Sequence, residues 1–313
     1  MPVATIKTLE ISREDWLEER RKGIGGSDAA AALGLSRWKT PFMLYLEKTG
    51  EVKPTDPGEA AYWGTRLEDV VAEEFTVRTG KKARRRNAIF TDPERPFMLA
   101  NIDREVVGEN AGLEVKTTGA WGADGWEDDR VPDAYLIQAQ HYMSVMGWDR
   151  VYFAVLIGGQ RFIWKEVPRD DEFIELIRQG EESFWTLVER RTPPPPGGSD
   201  ADSDILAKLY PEGVPESMDL PMEAEDLIAR WETAREEEKA AAAKKEEAAN
   251  MLKGILQGRE RGVWLDREVR WATVRTERVD TKALKEQYPD IMKSILKESV
   301  YRKFDIREVK RNG

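Results

Sequence analysis

The chain has 313 residues, 40% of them hydrophobic and 35% charged, and its 49 Lys and Arg against 59 Asp and Glu leave a net charge of −10. There is no cysteine and one histidine, His141, which excludes disulfides, thiolate metal sites, iron–sulfur clusters, thiol nucleophiles and histidine-rich metal centres. No run approaches the roughly 18 apolar residues of a membrane span, and any metal chemistry must use oxygen ligands, the preference of hard cations such as magnesium or manganese.

In chain order, Ser12-Arg13-Glu14-Asp15 reads as a capping box that opens a short helix with Trp16 and Leu17. Ser27 is then expected to cap a second helix over 28–33, closed by Gly34, and a third spans 41–49, closed by Gly50. A long amphipathic helix is expected over 59–79, followed by strand-like runs over 83–90, 97–103 and 113–117. Pro132 begins a helix that ends before Gly147. Two extended runs, 151–157 and 161–167, flank Gly158-Gly159 as a hairpin, and a closing helix covers 170–190. Helices, a mixed sheet and a closing helix describe an α/β domain over 1–192.

The clearest break is PPPPGGS over 193–199, four stiff prolines released by two glycines. Residues 193–221 are expected to form a Pro/Gly/acidic linker, and 222–313 a helical, α+β extension. Its first part, 222–256, is rich in Ala, Glu and Lys and predicts a long helix, a helical hairpin or a coiled coil. Two strands are expected over 263–279, a helix over 282–297 and a strand over 301–309.

The chemistry concentrates in two short strings, Ala100-Asn101-Ile102-Asp103 and Leu113-Glu114-Val115-Lys116-Thr117. Residues i and i+2 of a strand share a face, so Glu114 and Lys116 project together, beside Asp103 if the two runs pair. Two carboxylates can hold a magnesium ion, and the ammonium can orient water or offset phosphate charge. The same pattern also describes a surface salt bridge; the flanking Leu113, Val115, Leu99 and Ile102 favour a site, since an unpaired carboxylate on an apolar strand is costly. Glu68, on the long helix, can add a ligand or be an ordinary surface charge. Gln138 and Tyr142 share a helical face and can hold a phosphate or simply pack. Arg20-Arg21-Lys22-Gly23-Ile24-Gly25-Gly26-Ser27 brings basic residues to glycines and a helix start, where free N–H groups attract anions; the plain alternative is a capped glycine turn. Lys81-Lys82 and Arg84-Arg85-Arg86 form a dense basic cluster suited to a nucleic-acid backbone or to a solvated strand edge.

GIGGSDAAAALGLSRWKTPFMLYLEKTG, WGTRLEDVVAEEF, ANIDRE, LEVKTT and QAQHY occur in this order, and together they resemble the YqaJ-type viral recombinases. These are relatives of the phage lambda exonuclease in the PD-(D/E)xK nuclease superfamily. The resemblance covers about 11–190 and implies a restriction-endonuclease-like core, a mixed central sheet flanked by helices, to which the C-terminal extension adds a long helix and a small α/β part. It implies that Asp103, Glu114 and the Val115 carbonyl bind magnesium, two ions in all with manganese as a substitute, and that Lys116 positions the attacking water. It places Glu68 near the metals, and Gln138 and Tyr142 in a Gln-x-x-x-Tyr element. Ser27, with Arg20 or Arg21, would bind a DNA 5′-phosphate. One departure from the pattern is Ile102, where the superfamily name implies proline.

The function so implied is a magnesium-dependent exonuclease that works 5′ to 3′ from duplex DNA ends and leaves 3′ single strands for an annealing protein in phage-type recombination. The implied partners are duplex ends, a single-strand annealing protein and further copies of the chain in a ring trimer. With no apolar block of a signal peptide at the start, the expected location is the cytoplasm, as a phage or prophage product in a bacterial host. An endonuclease or single-strand nuclease of the same superfamily, and a non-catalytic DNA-end-binding module, are the alternatives.

Overall fold

The computed structural model describes residues 3–8, 11–54 and 58–307. The chain divides into two compact units, 1–206 and 207–313.

The first unit opens with strand β1 (Val3–Lys7) and helix α1 (Arg13–Arg21). As expected, Ser12 caps α1: its hydroxyl accepts from the Asp15 N–H at 3.1 Å and donates to the Asp15 carboxylate at 2.8 Å. Strand β2 (Ile24–Gly25) runs directly into α2 (Gly26–Ala32), whose N-cap is Gly25. Ser27 is therefore inside the helix rather than its cap, and its hydroxyl is engaged by Arg20. Helix α3 (Pro41–Thr49) starts on Thr40, which caps the Met43 N–H, and ends on Gly50 at φ 80°. Helix α4 (Gly58–Thr79) follows.

Two expected strands each break in two. The run over 83–90 becomes β3 (Ala83–Arg85) and β4 (Ala88–Thr91), and the run over 97–103 becomes β5 (Met98–Ala100), a bend, and β6 (Arg104–Val106). In each case the two halves enter different sheets. One sheet has the order β1-β4-β5-β2; the other is β3-β6-β7-β8-β9, with β7 (Ala111–Thr118), β8 (Arg150–Ile157) and β9 (Arg161–Pro168). Only β7 and β8 are parallel in the second sheet, and β8–β9 is the expected hairpin. Helix α5 (Asp133–Met146) supplies the crossover between β7 and β8, after a short 3-10 helix over Ala120–Trp126.

Alternation along the central strands gives the five-stranded sheet two buried faces. Tyr152 and Ala154 of β8 and Ala111 and Leu113 of β7 pack with Val71, Ala72 and Phe75 of α4. Val151, Phe153 and Val155 pack on the other face with Ala139, Tyr142 and Met143 of α5. Glu114 and Lys116, in the opposite phase from Leu113, therefore point toward α5. Helix α6 (Asp171–Glu189) covers α2 and α5 through Ile177, which meets Ala29, Ala30 and Ile137.

Within the stretch expected as a linker, residues 200–209 form α7 (Asp200–Leu209). Its Asp202 is fully buried, accepting from the Thr40 hydroxyl at 2.5 Å and the Gly197 N–H at 2.6 Å.

In the second unit, α8 (Ala224–Leu256) is one unbroken helix of 33 residues rather than a helical hairpin. A two-stranded hairpin follows, β10 (Arg261–Trp264) and β11 (Arg267–Arg270). The single helix expected over 282–297 is two, α9 (Thr281–Gln287) and α10 (Pro289–Ile295), because Pro289 lacks the N–H that would continue the first and instead starts the second. Residues 301–307 form no strand; the rest of the strand expected there lies outside the described residues. No described helix is long and apolar enough to cross a membrane.

Candidate active site

The breaks between the two sheets open a cavity of about 470 Å³ in the first unit. Helices α1, α2, α4 and α5 and the ends of β5 and β7 all contribute to its wall.

Register explains how the acidic groups meet. Arg104 of β6 pairs with Leu113 of β7 in antiparallel fashion, so one step further along Asp103 lies opposite Glu114, and directly opposed residues share a face. The Asp103 carboxylate accepts from the Val115 N–H at 2.9 Å, while the Glu114 carboxylate faces the Asp103 N–H at 3.5 Å. Lys116 donates to Glu114 Oε2 at 3.1 Å and lies over the Tyr135 ring at 5.0 Å. Gln138 donates to the same Glu114 oxygen at 3.1 Å and faces the Tyr142 hydroxyl at 3.3 Å; that hydroxyl donates to the Asn101 carbonyl at 2.9 Å. Asn101 thus spends its carbonyl on α5 instead of a strand ladder, at the point where the expected strand breaks.

These contacts shape the electrostatics. Burial, then the nearby Asp103 charge, pushes the Glu114 carboxyl up to about 8 against the pull of Lys116. Burial alone would lower the Lys116 ammonium, but Glu114 and Asp103 outweigh it and raise it. Burial, followed by Glu114, lifts the Tyr142 phenol well above its ordinary range.

Glu68 reaches the same cavity from α4. Its Oε1 accepts from Arg85 and Arg104, each at 3.1 Å. Burial and the Asp103 charge still raise its carboxyl against those two arginines.

In the same cavity, Arg20 donates to the Ser27 hydroxyl at 2.9 Å and stands 4.9 Å from the centroid of the Trp16 ring. Of the two arginines left open by the loop length, Arg20 lines the cavity. Arg21 does not: its guanidinium binds Glu18 at 2.8 Å and lies beside Gly50. The reason is α1, which puts consecutive residues about 100° apart. An anion here would meet the Arg20–Ser27 side-chain pair, beside Gly25 and Gly26 at the start of α2.

Every other sequence-derived site residue, Glu68, Asp103, Glu114, Val115, Lys116, Gln138, Tyr142 and Ser27, lines this one cavity. The basic cluster over 81–86 does not. Arg84 and Arg86 are bound to Glu105, Arg85 to Glu68 and Asp69, and Lys81 to Glu109. Among the wall residues that were not singled out in the sequence are Trp16, Asn101 and Tyr135. Trp16 is four residues before Arg20 and Tyr135 three before Gln138, so helical spacing could have found both.

The donors present suit a divalent cation. Two adjacent carboxylates, one buried and both crowded by like charge, are hard oxygen ligands that a cation would relieve. Among the described residues no group of three or more His, Cys, Asp or Glu side chains converges on a common point, so an ion would draw on Asp103, Glu114 and a backbone oxygen such as that of Val115.

Comparison with known proteins agrees in extent with these residues. A family model described as a YqaJ-like viral recombinase domain matches residues 15–149, a span that holds every side chain of the cavity discussed above. YqaJ of Bacillus subtilis (strain 168), described as an uncharacterized protein, is 44% identical over 308 residues, 97% of each chain. Among solved structures, the alkaline exonuclease LHK-Exo from Laribacter hongkongensis matches with a TM-score of 0.50 at 18% identity, covering 63% of this chain and 100% of that one. Its complex with dAMP matches with a TM-score of 0.50 at 19% identity over the same shares. At such identities the likeness is one of fold: mixed sheets flanked by helices in the PD-(D/E)xK arrangement.

Proposed function

Because the chain belongs to the family of YqaJ-like viral recombinases, we propose that it is a metal-dependent deoxyribonuclease that hydrolyses phosphodiesters from the ends of duplex DNA, 5′ to 3′. The observation that carries this reading is the convergence of Asp103, Glu114 and Lys116 on one cavity that Arg20 and Ser27 also line.

Asp103, Glu114 and the Val115 carbonyl would hold magnesium or manganese, with Glu68 beside them for a second ion. A bound ion would supply Lewis acidity toward the phosphate and acidify water. The chain's own groups do the rest. Lys116, its pKa raised by two carboxylates, stays an ammonium at neutral pH; it therefore donates hydrogen bonds, orienting the attacking water and offsetting charge on the phosphate. Gln138 fixes the Glu114 carboxylate through Oε2. Tyr142 holds the Asn101 carbonyl and with it the turn that presents Asp103. Arg20 and Ser27 would hold the terminal 5′-phosphate, a charge-assisted contact, and so set which strand enters. The reading extends to its products and partners: 3′ single strands passed to an annealing protein, and a ring of three copies around the duplex.

The test is a linear duplex end-labelled on the 5′ or the 3′ strand, incubated with magnesium, with manganese and with chelator. The expected result is metal-dependent release of nucleotides from the 5′ end, no cutting of a closed circle, and a loss of about 100-fold in rate for Lys116→Ala. Cleavage without metal, an undiminished Lys116→Ala protein, or cutting of the circle would each overturn it, the last in favour of an endonuclease. Tight binding of duplex ends without cleavage in either metal would point to a non-catalytic end-binding module.

A further inference from the structure

Behind Arg20 lies a buried charge cluster that the reading above leaves without a role. Asp28, on α2, is 5% exposed, and the Lys48 side chain, at the end of α3, is 4% exposed. Lys48 Nζ donates to Asp28 Oδ2 at 2.8 Å and to the Arg20 backbone carbonyl at 2.8 Å. The same Asp28 oxygen accepts from Arg20 Nη2 at 3.3 Å, the nitrogen that also binds Ser27. The other oxygen, Oδ1, faces Lys39 at 3.5 Å, and Lys39 binds Glu47 at 2.5 Å.

Two features set this cluster apart from a plain structural ion pair. First, it grips the same residue twice, once at the guanidinium through Asp28 and once at the backbone through Lys48; joining α1 to α3 would need only the backbone contact. Second, its charges do not cancel. Three cations face two carboxylates, and of the three cations only Arg20 lines the cavity. Arg20 is thus the one cation of the cluster presented to the cavity, and its Nη2 is already committed to Ser27 and Asp28. A guanidinium held at one end offers its remaining donors in a fixed fork, the geometry that suits the oxygens of a phosphomonoester.

We propose that Asp28 and Lys48 are positioning residues that lock Arg20 and Ser27 in place and thereby set the preference of this cavity for a 5′-phosphorylated end over a 5′-hydroxyl end. The proposal rests on the functional reading above for its choice of ligand, but its test does not need catalysis. The lock acts through alignment, so its loss weakens recognition of the terminal phosphate and spares contacts made along the rest of the duplex.

The experiment measures binding of a short duplex, fluorescently labelled at a 3′ end and carrying either a 5′-phosphate or a 5′-hydroxyl, to the full-length chain in chelator. The proteins are wild type, Lys48→Met and the double variant Asp28→Asn/Lys48→Met; the double variant removes both partners and so leaves neither of the two charges buried and unpaired. The expected result is a wild-type preference for the phosphorylated end on the order of tenfold, largely lost in both variants through weaker binding of that end, with circular dichroism unchanged. A wild type with no preference would overturn the proposal. So would variants that keep the wild-type preference, or that weaken both duplexes equally, the mark of a structural role. A wild type that shows the preference but never cleaves with metal would instead sink the nuclease reading and leave the positioning role standing.

Discussion

Glu114 has an acidity that can be read in a stability experiment as well as in catalysis. In the metal-free protein, burial and Asp103 raise its carboxyl to about 8, whereas in the unfolded chain it ionises near 4.3. A carboxylate with a raised folded-state pKa favours the fold only while protonated; its contribution is complete below the unfolded value and is lost as pH rises toward 8. Glu114→Gln, which keeps an amide oxygen for Lys116, is therefore expected to raise thermal stability in chelator at pH 8 by about 1 kcal/mol, roughly 2–4 °C, and to give no gain at pH 4. Unfolding scans of both proteins at the two pH values check this; a gain that is equal at both would mean that charge is not the cause. At the same scale, Gly26 shows why one residue type is required. A Cβ there would sit 2.5 Å from the Tyr142 ring, so α2 can approach α5 this closely only without a side chain at that position.

Among the elements, α5 does double service. One face, with Tyr135, Gln138 and Tyr142, looks into the cavity. Another carries His141, fully buried, with Nδ1 2.7 Å from Glu181 of α6 and Nε2 2.9 Å from the Leu99 carbonyl of β5. A carboxylate and a carbonyl both accept, so these contacts favour the ring with a proton on each nitrogen. Burial alone would lower its pKa, but Glu181 and the Leu99 carbonyl more than offset this and raise it. The sign for stability follows: the contribution is complete below about pH 6.5 and is lost as pH rises through the raised folded value. Glu181→Gln is expected to cost about 1–3 kcal/mol at pH 6, with a smaller cost at alkaline pH. Denaturation of the two proteins across that range is the measurement, and a cost that grows with pH would contradict the assignment. His141 is thus a structural group. Its place on the helix gave no hint of Glu181, which lies 40 residues further on.

Across the molecule, the compact first unit extends to residue 206, past the proline-rich break. Asp202 and Ile205 of α7 are both buried, and Asp202 ties back to Thr40. A fragment ending at residue 192 is therefore expected to be less stable than one ending at 209 by about 1–3 kcal/mol, several degrees in the melting temperature. Equal melting of the two fragments would show that α7 adds nothing to the first unit.

Much of this architecture was legible in the residues, and for a local reason. The Ser12 cap, the stops at Gly50 and Gly147, and the Gly158-Gly159 hairpin depend on contacts a few residues long. The alternation of Leu113, Glu114, Val115 and Lys116 put the two charged side chains on one face, and the ordered motifs pointed to the family. Other features needed partners distant in the chain. Nothing within 97–103 reveals that Asn101 gives its carbonyl to Tyr142, yet that contact marks the break between the sheets and opens the cavity. Arg20 and Arg21 are alike as neighbours in a string, and only the direction of α1 against α2 separates the one that faces the cavity from the one that binds Glu18. The basic run over 81–86 looked free until folding brought Glu105, Glu109 and Glu68 to it. Short-range hydrogen bonding and periodicity are written in neighbouring residues; the pairing of charges and the meeting of sheets depend on which distant segments the core brings together.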